Sequence, residues 1–456
     1  MNIYIHVEIV SRELDSKLLL GILAAARGHE VILSDIEGIE KNIKRRILTP
    51  GIFLTKSLTP SETKITRHQS IIDANCKITS IDEEGGLVNA GYEIFAKRRY
   101  SNKTIEMSSA VFGWGEEDIE TLKNFYPKYS SKIHLTGSPR VDLWKNKFSK
   151  LWSLPSTGAP RKPYFLVISN MSAANAYMPF YERIKKARDA GYFKRDPEGL
   201  KTLFIRGSEH FLLTHQYIEA IKHLNKNNNS FDIVLRPHPV ENIDSWKTYL
   251  DGMPNVYVTR EGPVNAWINN AFAIMHNGCT TAYEVNVSRK PLITFAPIER
   301  ETDNLTNKLG HLVKNKEDLL NKVNDLFEES KQHYKENLSE QLPHNLTRKI
   351  YIDDNELSAE KIINVWETLD NGSLSKPNNW TKYKLILKLM RFRGIIGNIL
   401  KRSFSKDYRP KNNYKFPPLD GEDIFRRFKK LKKILGISNN LECKLLSQKT
   451  ILIKRS

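Results

Sequence analysis

Short apolar segments alternate with amphipathic helical segments along most of this chain, and this alternation is the strongest constraint on its fold. An apolar strand at the start is followed by residues 11–27, in which Leu14, Leu18 and Ile22 are spaced four residues apart. That spacing predicts a helix that buries one face, and Gly28 is a typical helix stop. The apolar segment EVILSD comes next, so the chain opens as strand, helix, strand.

Two such series follow each other. The first continues with predicted strands at 51–54, 77–81, 110–112 and 132–137. A Lys-, Ser- and Pro-rich segment at 144–162 predicts a linker. The second series has predicted strands at 163–169, 231–239, 255–259, 271–278 and 291–295, and a closing helix at 357–369. We therefore predict an α/β protein with two Rossmann-like domains facing a cleft, at 1–150 and 151–375, and a tail at 376–456.

The tail carries almost all of the net charge of +19. Residues 376–456 contain 22 basic and 5 acidic side chains, whereas the rest of the chain contains 49 and 47. Two apolar helical stripes run through the tail, each beside basic residues: Leu385, Leu389, Phe392, Ile396 and Ile399, then Ile424, Phe425, Phe428, Leu431 and Leu435. This pattern predicts basic amphipathic helices that lie on an anionic membrane surface. A packed helical subdomain with a solvated basic face is the alternative, and nucleic acid is disfavoured because no base-stacking module is present.

Other classes are disfavoured by composition. No apolar run approaches 18 residues, and the first residues lack the order of a signal peptide. Cys76, Cys279 and Cys443 are widely spaced without a CxxC pair, which argues against a zinc site or a disulfide framework. We expect a cytoplasmic location, with peripheral association at the inner membrane through the tail.

The loop RPHP follows a predicted buried strand of the second series. A histidine there can donate to a phosphate, and proline fixes the backbone around it. We take His238 as a candidate for phosphate contact and for assisting a leaving group. A capping or core histidine is the simpler alternative.

The segment HNGCTTAYE begins at His276, where another apolar strand ends. Gly278 permits a tight turn, and a helix is predicted from Thr280 or Thr281, whose hydroxyls and N–H groups suit an anion. Glu284 is placed to accept from ribose hydroxyls. Simple N-capping by threonine is the alternative. The predicted nucleotide- and phosphate-binding residues are Arg236, Pro239, His276, Asn277, Gly278, Thr280, Thr281 and Glu284.

The acidic loop DEEGG, residues 82–86, follows a strand of the first series. Crowded carboxylates raise one another's pKa, and such a group can serve as a general base. We take Asp82, Glu83 and Glu84 as catalytic candidates beside His238, with a solvated acidic turn as the alternative. Further cleft candidates are Glu8, Arg12, Gly85, Arg140, Ser169 and Asn170.

Several segments together resemble the bacterial surface carbohydrate biosynthesis protein family: HVEIVSRELDSKLLLGILAAARGHEV, GIFLTKSLTP, DEEGG, FGWGEE, TGSPRVDL and HNGCTTAYEVNVSRKPLITF. The resemblance runs from the first residue to about residue 330 and leaves out the tail. It implies a relationship to glycosyltransferases with the GT-B fold that assemble capsule and lipopolysaccharide.

Three loops also resemble the motifs of bacterial sialyltransferases with a GT-B-like fold. The acidic pair with glycine matches at Glu83, the His-Pro at His238 and the paired hydroxyls at Thr280 and Thr281. The resemblance implies that Glu83 is the general base, that His238 contacts the CMP phosphate and that the threonines hold it. This chain has Thr-Thr in place of Ser-Ser, and Asp82 adds a third acid.

Together these features predict a glycosyltransferase that moves a CMP-activated nonulosonic acid or Kdo-type sugar to a glycan or lipid-linked glycan acceptor. The nucleotide sugar is a co-substrate, no further cofactor is expected, and the lack of a DxD triplet predicts metal independence. The alternatives are a UDP-sugar transferase or a UDP-sugar 2-epimerase on the same fold. A non-catalytic membrane scaffold of glycan assembly is a third possibility.

Overall fold

The structure is a computed structural model. It describes residues 1–88, 91–156, 158–299, 305–332, 342–404 and 415–456, with the backbone alone at 195 and 397–404. In chain order the strands are β1 (Asn2–His6), β2 (Glu30–Ser34), β3 (Ile52–Thr55), β4 (Lys77–Ile81), β5 (Ala110–Gly113), β6 (Ile133–Leu135), β7 (Tyr164–Ile168), β8 (Asp232–Arg236), β9 (Val256–Val258), β10 (Ala273–His276), β11 (Leu292–Phe295), β12 (His311–Val313), β13 (Leu441–Ser447) and β14 (Thr450–Arg455).

The helices are α1 (Val10–Ala26), α2 (Ile36–Lys44), α3 (Glu62–Ile72), α4 (Tyr92–Arg99), α5 (Asn102–Glu106), α6 (Glu116–Phe125), α7 (Pro139–Asp142), α8 (Phe180–Asp189), α9 (Tyr192–Arg195), α10 (Gly199–Lys226), α11 (Ile243–Tyr249), α12 (Val264–Asn270), α13 (Thr281–Val287), α14 (Lys316–Gln332), α15 (His344–Lys349), α16 (Ser358–Leu369), α17 (Trp380–Phe404) and α18 (Gly421–Ile434). No helix in the described part of the chain is both long and apolar enough to cross a bilayer.

The chain divides into two compact units. Unit 1 comprises Met1–Leu143 and Thr347–Ser456, and unit 2 comprises Trp144–Leu346. The α/β class with two mostly parallel sheets is therefore confirmed. The domain boundaries differ from the prediction of 1–150, 151–375 and 376–456, because the chain returns to unit 1 well before residue 375 and the tail is part of that unit.

Unit 1 is built on a sheet with the order β13-β14-β2-β1-β3-β4-β5-β6 in the described residues. The strands from β2 to β6 are parallel. Every residue of β1 is buried, as expected for a strand of a parallel sheet that is covered on both faces. Local periodicity predicted these strands to within two residues at either end.

The last two strands were not predicted from the sequence. β14 pairs antiparallel with β2, with Ile451 opposite Leu33, and β13 pairs antiparallel with β14. Ile451 and Ile453 are fully buried. The basic tail therefore extends the sheet of unit 1 and contributes to its core.

The two apolar stripes predicted in the tail have different surroundings. On α18, Ile424, Phe428 and Leu431 are buried, whereas Phe425 is 45% exposed. The second stripe thus belongs mostly to the packed interior of unit 1, which agrees with the alternative of a packed subdomain. On α17, the stripe residues Leu385 and Leu389 are more than half exposed.

Unit 2 is built on a parallel sheet with the order β12-β11-β10-β7-β8-β9 in the described residues. A large apolar cluster in its interior includes Phe165, Tyr217, Phe231, Trp246 and Phe272. Counted from β7, this is a doubly wound order: the third strand, β9, lies at one edge, and the fourth strand, β10, lies beside the first. The order in which strands are added to the sheet therefore reverses between β7 and β10.

Candidate functional site

The strand order of unit 1 reverses between β1 and β3, and ligands of open parallel sheets bind beyond the carboxyl ends of strands at such a point. Glu8 follows β1, Lys56 follows β3, and the two form an ion pair. Lys415 Nζ lies 2.8 Å from Glu8 Oε1. Burial raises the pKa of Glu8, but the hydrogen bonds from Lys415 and Lys56 outweigh it and lower this pKa to about 2. Glu8 is therefore an ionised, paired carboxylate.

A buried ammonium group lies between two carboxylates at the same end of the sheet. Lys17 Nζ is 2.9 Å from Glu13 Oε2 and 3.0 Å from Glu83 Oε1, and it donates to the carbonyl of His6 at 2.6 Å. Burial opposes every charge in this group. The nearby Lys17 nevertheless lowers the pKa of Glu13 to about 2, and Glu83 and Glu13 raise the pKa of Lys17.

Glu13 and Lys17 were missed from the sequence. They lie four residues apart on α1, which places them on one face of the helix. The available signal was an acid and a base at this spacing directly beside Leu14 and Leu18, on a helix face predicted to be buried. A charged pair among buried positions requires a partner nearby, and Glu83 is that partner.

The remaining acids of the DEEGG loop lie beside cations. Arg99 binds Asp82 in a bidentate manner, with both N–O distances at 2.8 Å. The Asp82 carboxylate also accepts from the Glu84 N–H at 3.0 Å, and its carbonyl accepts from the Trp114 indole at 2.7 Å. The sequence predicted carboxylates that crowd one another, whereas here cations separate them. Asp82 is thus an anchor for the loop.

Glu84 is the exposed acid of this loop. Its carboxylate lies 3.6 Å from Arg12 and 3.8 Å from Arg99. Gly85 leaves room for the Trp114 ring, because a Cβ at Gly85 would lie 2.9 Å from that ring. Loop position therefore depends on a glycine and a tryptophan that pack together.

Arg140 supports the acidic loop through its backbone. Arg140 Nη1 donates to the carbonyl of Glu83 at 2.9 Å, and its guanidinium lies over the Trp114 ring. Asp142, on the same short helix, accepts the backbone N–H groups of Ser358 and Ala359 at the start of α16. Arg140 is therefore placed to hold Glu83.

Asp118 is a further buried acid that the sequence did not single out. It is 3% exposed, and its Oδ2 accepts the Trp114 N–H at 2.9 Å. Burial raises the pKa of Asp118 to about 7. The group beneath the acidic loop therefore gains or loses a proton near neutral pH.

In unit 2, three of the predicted loops lie at neighbouring strand ends. Ser169 and Asn170 follow β7, Asn277 and Gly278 follow β10, and His238 follows β8. β10, β7 and β8 are adjacent in the sheet, so the loops share one edge. The Asn277 amide lies 3.4 Å from Met171 Sδ, which connects two of the loops directly.

His276 supports the turn after β10. It is fully buried, its Nδ1 accepts the Gly278 N–H at 3.0 Å, and its Nε2 lies 2.8 Å from Thr294 Oγ1. Burial lowers the pKa of His276 to about 4, so the ring is neutral. Gly278 has a φ of 92°, which favours glycine. His276 therefore shapes the turn, in contrast to the predicted contact with a nucleotide.

The threonines of this turn do not cap the following helix. Thr280 is the N-cap residue of α13 but makes no side-chain capping bond, so the capping alternative is not what the structure shows. The helix α13 spans only seven residues, which weakens the predicted contribution of a helix dipole. Glu284 Oε2 accepts from the Asn265 amide at 3.1 Å. Thr280 and Thr281 are partly exposed residues of the turn.

The RPHP loop separates a structural arginine from an accessible histidine. Arg236 donates to the carbonyls of Arg260, Glu261 and Gly262, and burial lowers its pKa to about 10. His238 is partly exposed, and its Nδ1 accepts the Val240 N–H at 3.3 Å. The opposite nitrogen, Nε2, therefore carries the hydrogen of the neutral ring and is a donor.

The His238 ring is held neutral by its surroundings. Burial and the nearby guanidinium of Arg260 lower the pKa of His238. Pro239 is exposed, and its carbonyl accepts from Arg260 at 3.4 Å. A neutral donor at this position suits an oxygen that gains negative charge.

Glu241 connects the β7 and β8 loops and was also missed from the sequence. It is fully buried, and it accepts from Ser169 Oγ at 2.8 Å, from the Met171 N–H at 2.7 Å and from the Trp246 indole at 2.6 Å. Burial raises the pKa of Glu241. The Ser169 hydroxyl is thereby used inside the protein, which leaves Asn170 as the partly exposed residue of its pair.

Among the residues that the structure describes, no group of three or more His, Cys, Asp or Glu side chains is arranged to hold a metal ion.

Comparison with known proteins gives structural neighbours only. No protein-family profile matches the sequence, and no curated protein matches it. The UDP-GlcNAc 2-epimerase of Methanocaldococcus jannaschii is similar with a TM-score of 0.48 and 13% identity, over 81% of this chain and 100% of that chain. The UDP-GlcNAc 2-epimerase of Neisseria meningitidis, solved with UDP-GlcNAc bound, has a TM-score of 0.44 and 14% identity over 81% and 99%.

The wall teichoic acid polymerase TagF is similar with a TM-score of 0.44 and 11% identity, over 81% of this chain and 90% of that chain. Similarity at this level does not identify a substrate or a reaction.

Proposed function

We propose that this protein is a nucleotide-sugar-dependent enzyme of surface polysaccharide assembly, and that it transfers the sugar to a glycan acceptor. The observation that carries the proposal is the reversal of strand order between β7 and β10 in unit 2. Doubly wound sheets bind nucleotides at such a point. Here the residues at that point are Asn170, Asn277, Gly278 and the hydroxyls of Thr280 and Thr281.

We assign donor binding to unit 2. The backbone N–H groups and hydroxyls of the turn after β10 would bind the donor phosphate, and His238 Nε2–H would donate to it as the bond to the sugar breaks. The pKa of His238 is lowered, so the ring is a neutral donor. The leaving nucleotide then departs as an anion stabilised by fixed hydrogen-bond donors.

We assign acceptor activation to unit 1. Glu83 would take the proton of the acceptor hydroxyl as its oxygen bonds to the anomeric carbon. Lys17 and Arg140 hold Glu83 by its carboxylate and by its carbonyl. The proton passes to Glu83 and the electron pair of the broken bond leaves with the nucleotide phosphate, so the step balances without a further reactant.

The charges at the β8 loop bear on which nucleotide the donor sugar carries. Both guanidinium groups described at the β8 loop, those of Arg236 and Arg260, donate to backbone carbonyls. These cations are engaged inside the protein, so the groups left to contact the donor phosphate are the N–H groups and hydroxyls of the turn after β10 and the His238 ring. Because these groups are uncharged, they favour a nucleotide sugar with a single phosphate, such as a CMP-activated nonulosonic acid or Kdo-type sugar. The alternative is a UDP-sugar transferase or 2-epimerase, the reaction class named for two of the structural neighbours, and the same experiment tests it.

The experiment is thermal shift of the full chain with CMP, UDP, GDP, ADP and UDP-GlcNAc. A ligand at ~100 times its dissociation constant stabilises the folded state by about 2.7 kcal/mol. We expect CMP to be selective, whereas selectivity for UDP and UDP-GlcNAc would move the assignment to the alternative. The absence of any shift would count against the nucleotide site and would favour a scaffold.

A histidine pair separates a chemical role from a structural one. We expect His238→Gln to fold normally and to lower turnover of the selected nucleotide sugar about 100-fold or more, because loss of one fixed hydrogen-bond donor to a developing negative charge costs that much. His215→Gln is the matched control, since His215 is exposed on α10. Equal turnover in both variants would remove His238 from the reaction.

A further inference from the structure

Over residues 380–396, where its side chains are described, the helix α17 packs on unit 1 with one face. Tyr383 is fully buried and Leu387 is 6% exposed, and both belong to an apolar cluster with Ile39 and Ile43 of α2. Tyr383 also donates to the carbonyl of Gly38 at 2.9 Å. This face fixes the helix on the protein.

The opposite face of α17 is apolar as well. Its side chains lie at i, i+4, i+7 and i+11, a spacing that places them in one stripe. Their exposed fractions are high: Leu385 57%, Leu389 52%, Phe392 61% and Ile396 39%. At 3.6 residues per turn, this stripe lies across the helix from Tyr383 and Leu387. We name these four residues the α17 apolar face.

Exposed cations border the α17 apolar face on both sides. Lys384, Lys388 and Arg391 lie along one border, and Lys382 and Arg393 lie along the other. The sequence between residues 376 and 404 contains no Asp or Glu. An apolar strip between rows of one-signed charge is complementary to a surface with an apolar interior and anionic headgroups.

We propose that the α17 apolar face docks on an anionic lipid bilayer and lies in its headgroup region. Its four side chains would enter the boundary of the acyl chains while the flanking cations contact lipid phosphates. The buried face would remain on unit 1, so docking requires no unfolding of the protein.

The structure limits this role to α17. The second basic helix, α18, buries Ile424, Phe428 and Leu431, and Arg427 pairs with Asp15 of α1 at 2.9 Å. Its apolar side chains are therefore mostly used inside unit 1. The sequence predicted both helices as membrane-associating, and the packing separates them.

The test is co-sedimentation of the full chain with vesicles of phosphatidylcholine, with and without phosphatidylglycerol. We expect binding only to the vesicles that contain phosphatidylglycerol, and its loss at high salt. The variant Leu389→Asp/Phe392→Asp should reduce the bound fraction about tenfold or more. Removal of one cation, as in Lys388→Gln, should weaken binding roughly fivefold.

The matched control is Leu312→Asp in β12 of unit 2. Leu312 is 58% exposed, as exposed as Leu385, but it belongs to a strand of unit 2 and not to an apolar helical stripe. We expect this control to bind like the unaltered protein and all variants to keep their melting temperature, because the altered side chains are exposed. Point variants are used because removal of the tail would also remove β14 from the sheet.

Three results would overturn the proposal. The first is unchanged vesicle binding by Leu389→Asp/Phe392→Asp. The second is an equal loss of binding in Leu312→Asp, which would mean that any exposed apolar residue matters. The third is binding to a soluble polyanion such as heparin without binding to vesicles, which would assign the cations to a different partner.

Discussion

Lys17 Nζ lies 3.0 Å from Glu83 Oε1 in the interior of unit 1, and the same ammonium group neutralises Glu13 at 2.9 Å. The proposed base is therefore held by a residue that is 66 positions earlier in the chain. Removal of one member of a buried ion pair leaves its partner charged and without compensation. The position of the acidic loop depends on this contact.

Replacement of Lys17 should be far more costly than replacement of an exposed lysine at the same spacing from a glutamate. We expect Lys17→Met to lower the free energy of unfolding by about 3–5 kcal/mol in urea titrations. Lys41→Met removes the exposed pair with Glu37 and should cost no more than about 0.5 kcal/mol. A similar small change in both variants would show that the buried group contributes little.

Asp118 should make stability depend on pH near neutrality. Its pKa is raised from 3.8 to about 7 by burial, so the folded state binds the proton more tightly than the unfolded state does. This contribution is present in full below a pH of about 4 and is lost as the pH rises to about 7, with a size on the order of 4 kcal/mol.

The variant Asp118→Asn keeps an oxygen that accepts the Trp114 N–H and removes the titration. We therefore expect it to be more stable than the unaltered protein at pH 8 and to differ less at pH 4, measured by urea unfolding across this range. Asp251→Asn, at an exposed position, is the control. Its free energy of unfolding relative to that of the unaltered protein should be about the same at pH 4 and at pH 8. Parallel curves for Asp118→Asn and the unaltered protein would contradict the raised pKa.

The C-terminal strand should be as important to unit 1 as a central strand. Ile453 of β14 is fully buried and lies opposite Val31 of β2. We expect Ile453→Ala to lower the free energy of unfolding by about 2–5 kcal/mol, because truncation leaves a cavity in the core. Leu312→Ala, at an exposed position, should change it by no more than about 0.5 kcal/mol. If Ile453→Ala behaved like this control, the tail would not be part of the folded unit.

Much of the local structure was predictable from the sequence. Apolar periodicity predicted β4 at its observed bounds, and the Gly278 turn was predicted from residue type. The short β12 was not predicted. The hairpin of β13 and β14 was not predicted either, because β14 pairs with residues of β2 that lie 416 to 422 positions away, and such a strand has little local signature. The domain boundaries also differ from the prediction, because the last part of the chain returns to unit 1.

The candidate site was predictable in part. The sequence placed His238, Asn277 and Thr280 in loops at strand ends, and the sheet order brings these loops to one edge. Sequence alone could not distinguish the role of His238 from that of His276, because both are histidines at the ends of apolar strands. Burial distinguishes them, since His276 uses both ring nitrogens inside the protein and His238 is partly exposed.

The sequence by itself determined the alternation of strands and helices, the glycine turns and the one-signed charge of the tail, because these depend on residue type and near neighbours. Only the tertiary structure decided which charges are paired and which apolar stripes are covered. The stripes of α17 and α18 look alike in sequence, yet Phe428 is buried and Phe392 is 61% exposed. Burial depends on residues that are distant in the chain, and local periodicity contains no information about them.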